Sequence, residues 1–198
     1  GHIETVQNSN GDPYIACGIY HPQSGELNIT GGTIYAGSNG RTGVGILMRG
    51  GTLEISNATV TATGSISGCV GDSNIVVGGS AVLFDYQSNY YDRANTTVEI
   101  SSGSFTSDAG VESIAVRADG EEDKATATNA FSISGGTFSS NVSDYCAPGL
   151  ASSDEDKNGT FEIVTDTSMF QSGNGTQSSP FIIMTEAQLK KFAESVND

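Results

Sequence analysis

The chain has 198 residues, long enough for a sizeable core, and carries 26 Gly, 4 Pro and no Trp. Eight Lys and Arg against 23 Asp and Glu give a formal net charge of −15. A surface of that sign repels nucleic acid and anionic lipid, which excludes both as partners, and no apolar stretch reaches the roughly 18 residues that a membrane-spanning helix needs.

From the N-terminus, a short apolar run at Gly18-Ile19-Tyr20 precedes the pattern Leu27-x-Ile29-x-Gly31-Gly32-x-Ile34. The same pair of features recurs three times. Gly45-Ile46-Leu47-Met48 precedes Leu53-x-Ile55 and Val60; Ala81-Val82-Leu83-Phe84 precedes Val98-x-Ile100 and Phe105; Ile114-Ala115-Val116 precedes Phe131-x-Ile133-x-Gly135-Gly136-x-Phe138. The first two apolar residues of each pattern are two apart and share one face of a strand. The third follows at an odd offset of five, so a bend must separate them, at Gly31-Gly32, Asn57-Ala58, Ser102-Gly103 and Gly135-Gly136. Polar residues such as Asn28, Glu54 and Glu99 fill the alternate positions, as in strands with one wet face.

The steps Ile19 to Ile46 to Val82 to Ile114 are 27, 36 and 32 residues, the length of one turn of a coiled stack. The pattern predicts an all-β fold: a right-handed single-stranded parallel β-helix of about four to five turns, with a short C-terminal helix. A sandwich of hairpins is the competing all-β fold, but hairpins do not explain the fixed five-residue step.

Between the first strand of a turn and its repeat pattern the chain takes 8 and 7 residues in the first two turns, then 16 and 15 in the next two. Insertions gathered on one face of a repeat protein often mark a binding face. The third-turn insertion is Asp85-Tyr86-Gln-Ser-Asn-Tyr90-Tyr91-Asp92-Arg93, and the fourth contains Asp119-Gly-Glu121-Glu122-Asp123. Tyrosine rings beside Asp and Arg suit neutral sugars, with rings stacked on C–H faces and polar groups bonding hydroxyls. Tyr86, Tyr90, Tyr91, Asp85, Asp92, Arg93, Asp119, Glu121, Glu122 and Asp123 are therefore the candidate ligand-binding residues. The competing reading packs the tyrosines over the neighbouring loop and makes the acidic run a solvated turn.

Asp154-x-Asp156-x-Asn158-Gly159 copies the first half of a calcium loop, but Thr165 stands where a bidentate Glu is needed. An acidic hairpin turn leading into the alternating strand Phe161–Val164 is the preferred reading, and weak calcium binding at Asp154, Asp156 and Asn158 the alternative. The composition of residues 171–180 is that of a linker. Beyond it, Thr185 with Gln188 forms a capping box ahead of Leu189, Phe192, Ala193 and Val196 at helical spacing. The expected organisation is a β-helix domain over 1–170, a linker over 171–180, and a short strand and helix over 181–198 that caps the stack or begins a further module. The three Cys, at 17, 69 and 146, lie in no CxxC spacing and read as buried thiols.

The segment Ile133-Ser-Gly-Gly-Thr-Phe138 through Tyr145, with Gly149 and Asn158-Gly-Thr-Phe161-x-Ile163-Val164, resembles a motif of large surface proteins of gut bacteria. These are pectate-lyase-like right-handed parallel β-helices, described as cell-surface or adhesin-like. The resemblance spans roughly residues 26 to 196 and implies an extracellular, bacterial cell-surface or secreted location and a modular protein. It transfers no catalytic residue. Polysaccharide-cleaving relatives of that architecture need clustered acids with a His or a basic pair, whereas His2 and His21 are the chain's two histidines and its arginines fall in different turns. The expectation is a non-catalytic, adhesin-like module without a cofactor, whose partner is a host or dietary glycan or a surface protein. A purely structural spacer is the first alternative and a polysaccharide lyase or hydrolase the second.

Overall fold

The structure is a computed structural model that describes all residues except 8–14, 23, 39–42, 65–67, 71–73, 77–78, 88–94, 154–157, 174 and 198. In chain order the strands are β1 (His2–Gln7), β2 (Ala16–His21), β3 (Glu26–Ile29), β4 (Gly32–Ser38), β5 (Gly43–Met48), β6 (Thr52–Ile55), β7 (Ala58–Ala62), β8 (Gly68–Val70), β9 (Asn74–Val76), β10 (Val82–Tyr86), β11 (Thr97–Ile100), β12 (Gly103–Thr106) and β13 (Ile114–Ala118). Helix α1 (Glu121–Thr128) follows, then β14 (Phe131–Ile133), β15 (Thr137–Phe138), β16 (Leu150–Ser152), β17 (Phe161–Thr165) and helix α2 (Glu186–Asn197).

Three sheets share the core. The large sheet runs β1-β4-β7-β12-β15-β17-β16, the second β13-β10-β5-β2 and the third β14-β11-β6-β3; β8 and β9 pair by themselves as an antiparallel hairpin. Equivalent strands pair in parallel. In the third sheet Leu27, Leu53, Val98 and Phe131 stand in register, as do Ile29, Ile55, Ile100 and Ile133. In the large sheet Ile34, Val60, Phe105 and Phe138 do the same, with the rings of Phe105 and Phe138 stacked 5.1 Å apart. These rows meet Ile46, Val82, Phe84 and Ile114 of the second sheet in one continuous core. Each large side chain sealed there contributes about 1.5–3 kcal/mol relative to exposure.

The expected single right-handed parallel β-helix with one helix at its end is corrected here. The strands do not make one coiled sheet; they stack in three separate sheets, and the large one is mixed. The corners are one cause. Asn57 (φ 54°) and Gly103 (φ 132°) adopt left-handed backbone that Asn and Gly tolerate, which turns the chain out of one sheet and into the next. The second cause is the Asn158-Gly159 turn, after which β17 runs antiparallel to both β15 and β16, setting Phe161 beside Phe138. The single expected helix is also corrected: α1 begins at Glu121, inside the acidic run read as a candidate binding loop. Glu121, Glu122 and Asp123 lie in its first turn, where they complement the helix dipole, and Ala127 is fully buried.

Close approach explains the smallest residues of the second sheet. A Cβ on Gly45 would lie 2.4 Å from both the Ala81 carbonyl oxygen and a methyl carbon of Val60, so only Gly lets the second sheet come this near the large one. At the other end of the chain, Gln188 accepts from the Met184 and Thr185 amides and donates its own amide to Thr185 Oγ1, which starts α2. Phe170 stacks on Phe181 at 4.1 Å and meets Phe192 of α2 at 6.0 Å; Lys191 reaches Asp166 at 2.9 Å. Phe170 and Phe181 thus meet across the segment 171–180, while Leu189, Val196, Ile182 and Met184 remain exposed.

Candidate functional site

Alternation along the second sheet sends Val82, Phe84 and Tyr86 inward and Leu83 and Asp85 outward. The outward side is itself buried: Val44, Leu47 and Leu83 are at most 1 % exposed and, with Ile15, Cys17 and Ala115 against them, form a small second apolar cluster. Next to this cluster runs a charged row. Asp85 and Arg117 are register partners, and Arg49 directly follows Met48, the partner of Phe84. Arg49 donates from Nε at 3.0 Å and lies at 2.8 Å through Nη2 to one Asp85 oxygen; Arg117 Nη1 donates to the other at 2.9 Å. Arg49 also donates to the Tyr20 hydroxyl at 2.8 Å, its guanidinium lying 5.4 Å from that ring's centre.

The Asp85 side chain has no exposed surface. Burial pushes its carboxyl above the usual range, and the two guanidiniums pull the other way. Burial likewise raises the Cys17 thiol to about 11, so it stays protonated and unreactive at neutral pH; Cys146 is raised to about 11 for the same first reason.

A groove of about 580 Å³ opens where this outer face emerges between the loop at Gly110–Glu112 and α1. Leu83, Ala115 and Val111 give it apolar walls, and Ser80, Glu112, Arg117 and Lys124 supply polar groups. That volume and that mixture are those of a small-molecule site. A second groove of about 170 Å³ crosses the outer face of the third sheet at Asn28, Glu54, Glu99 and Ser132, and is too small to enclose a ligand.

The sequence-derived candidates divide among these places. Tyr86 is 5 % exposed and packs edge-on against Phe84 at 5.5 Å, so its ring belongs to the core. Asp85 is locked between the arginines. Tyr90, Tyr91, Asp92 and Arg93 lie outside the described residues, as do Asp154 and Asp156. Asp119 is exposed just before α1; Glu121, Glu122 and Asp123 occupy its first turn, and Lys124 next to them reaches the groove. Asn158 is exposed in the turn before β17. Among the described residues no three His, Cys, Asp or Glu gather as a metal site.

Sequence reasoning set Arg49 and Arg117 apart because they fall in different turns, and stacking brings them together on one carboxylate. The signal was present: each stands three residues after the aligned apolar position, Ile46 and Ile114, as Asp85 does after Val82. Ser80, Glu112 and Lys124 carried no such signal, because a loop and a helix deliver them. No family model matches this chain, and no curated protein or solved structure matches it.

Proposed function

We propose that the chain is a non-catalytic binding module that takes a neutral glycan in the groove beside α1. The supporting observation is the groove's composition: aliphatic walls at Leu83, Ala115 and Val111 for the C–H faces of a sugar, with Glu112 to accept from hydroxyls and Lys124 to donate to them. The net charge of −15 disfavours polyanionic sugars. The two arginines that come together are engaged with Asp85, which leaves neither as a free base or anion clamp, and this is why a lyase or hydrolase is the weaker reading. An extracellular, adhesin-like role on a bacterial surface belongs to the same proposal and rests on the motif resemblance at residues 133–164.

A glycan array of the wild type beside Ala115→Trp and Lys124→Ala tests it. Ala115→Trp places a bulky ring in the groove and, with a thermal melt beside it because Ala115 packs against Leu47 and Leu83, is expected to abolish any hit while the chain stays folded; Lys124→Ala weakens the hit. A hit kept at full strength by Ala115→Trp overturns the groove as the site. The absence of any hit favours the spacer, the second reading, which Tyr86 supports by burying one of the three candidate rings.

A further inference from the structure

Strand β17 is positioned by bonds on either side of a turn that has none of its own ladder. The Ser153 amide donates to the Glu162 carbonyl at 2.7 Å, the Glu162 amide donates to Ser153 Oγ at 2.8 Å, and Phe161 pairs with Phe138 of β15. Between them lie Asn158 and Gly159, outside every strand and helix. Asn158 is exposed, Gly159 has φ 76°, and the Gly159 N–H donates to no described residue. Positive φ costs Gly nothing, which is why this residue type stands at the turn.

Asparagine followed by glycine is a reactive step. The glycine nitrogen is tethered close to the side-chain carbonyl carbon of the asparagine, and a tethered nucleophile needs no encounter from solution. Glycine has no side chain to shield that nitrogen, and its backbone rotates more freely than any other. In a folded protein the step is slowed where a hydrogen bond or burial fixes either partner. Other asparagines of this chain are fixed in that way. Asn57 Oδ1 accepts from Ser102 Oγ at 3.3 Å, and Asn141 Oδ1 accepts from the Ser143 amide at 2.9 Å. Ala58 and Val142, which follow them, are each 1 % exposed. After Asn129, the Ala130 amide donates to the Ala127 carbonyl at 3.3 Å. The nitrogen that follows Asn158 carries neither restraint.

We propose that Asn158 is a self-modification site, converting to aspartate and isoaspartate in the folded protein without an enzyme. The Gly159 nitrogen attacks Asn158 Cγ, its proton passes to solvent, and the side-chain nitrogen leaves as ammonia, which closes a succinimide ring. Water then opens the ring. Attack at the former side-chain carbonyl gives aspartate; attack at the main-chain carbonyl gives isoaspartate, with the chain now running through the side-chain carbon. Water enters and ammonia leaves, so no oxidant, metal or further reactant is needed. Both products add a negative charge to the turn. Isoaspartate also lengthens the main chain by one methylene just ahead of Phe161 and Glu162, the residues that hold β17 to β15 and to Ser153. The isoaspartyl chain is therefore looser at β17. This site is distinct from the groove, and neither proposal needs the other.

The experiment ages the full chain in mildly alkaline buffer at physiological temperature, beside a synthetic peptide copying residues 155–162. Peptide mapping by mass spectrometry follows the amide-to-acid mass gain at each Asn-Gly step separately, because the same dipeptide occurs at 10–11, 39–40 and 174–175. Enzymatic methylation of the mapped peptide counts the isoaspartate. Asn158 of the folded chain is expected to convert steadily, with isoaspartate among the products, while the peptides holding Asn57, Asn129 and Asn141 stay intact. Asn158→Gln, which would have to close a larger ring, is expected to lose the conversion at this step. Amide exchange over residues 161–165 is expected to speed up in the isoaspartate fraction, and Asn158→Asp, which adds the charge without the methylene, is expected to exchange as the wild type does. The wild-type map requires no variant to fold. A folded chain whose Asn158 stays intact while the free peptide converts overturns the site, as does a peptide that does not convert. Unchanged exchange in the isoaspartate fraction overturns the loosening of β17.

Discussion

Asp85 sits fully covered with a guanidinium on each of its oxygens, at 2.8 to 3.0 Å. Such a group makes the arginines tolerable in a buried layer: removing the carboxylate takes from Arg49, whose side chain is 4 % exposed, the ion pair at 2.8 Å that offsets its burial. Asp85→Ala is therefore expected to cost about 3–5 kcal/mol in chemical denaturation, the penalty of breaking a buried pair from one side. Replacing all three members with aliphatic residues of similar volume should cost far less, because it leaves no charge behind. A single-variant loss below about 1 kcal/mol would show that water reaches the arginines.

At the scale of elements, α2 is tied to the segment 166–170 by Phe192 on Phe170, itself stacked on Phe181, and by the Lys191–Asp166 pair. Burial alone would raise the Asp166 carboxyl, but its hydrogen bonds from Ser168 and Lys191 outweigh burial and hold it below the usual range. A carboxyl depressed in the folded state adds stability that is fully present above its unfolded pKa, about 3.9, and lost as pH falls through the lower folded value. Docking of α2 is expected to hold from neutral pH down to about 4 and weaken below it. Amide exchange in residues 186–193 as a function of pH checks this. Lys191→Ala should remove most of the acid sensitivity, while Phe170→Ala should loosen the helix at every pH. The exposed Leu189 and Val196 show that the apolar stripe of α2 is only half used: Phe192 meets Phe170 and the stripe's two ends face solvent.

Across the whole molecule, stability should grade along the stack, because each level is sealed by the levels on either side. Leu53 and Leu27 occupy the same ladder, one fully buried and the other partly buried. Leu53→Ala is expected to cost about 2–5 kcal/mol and Leu27→Ala clearly less, since solvent already reaches Leu27. Urea melts of the two variants make the comparison, and equal losses would mean that Leu27 is as well sealed in solution as Leu53.

The sequence by itself determined the ladders. Apolar residues two apart, a bend, and a third apolar residue five on leave few ways to bury all three, and Ile29, Ile55, Ile100 and Ile133 fall into one row accordingly. It also determined the start of α2, because the capping exchange between Thr185 and Gln188 is local chemistry. The aligned spacing even held the Arg49–Asp85–Arg117 row, legible only to a reader who lays the turns over one another. Tertiary structure decided the rest. Whether strands join one sheet or three depends on backbone direction at each corner, which the Gly and Asn residues permit without dictating. Whether Tyr86 faces solvent or core depends on strand β10 running one residue pair further than the apolar run suggests, which carries that ring inward onto Phe84. The groove was least legible of all: its walls come from β10, a loop and α1, and no local pattern records surfaces that exist only once distant segments meet.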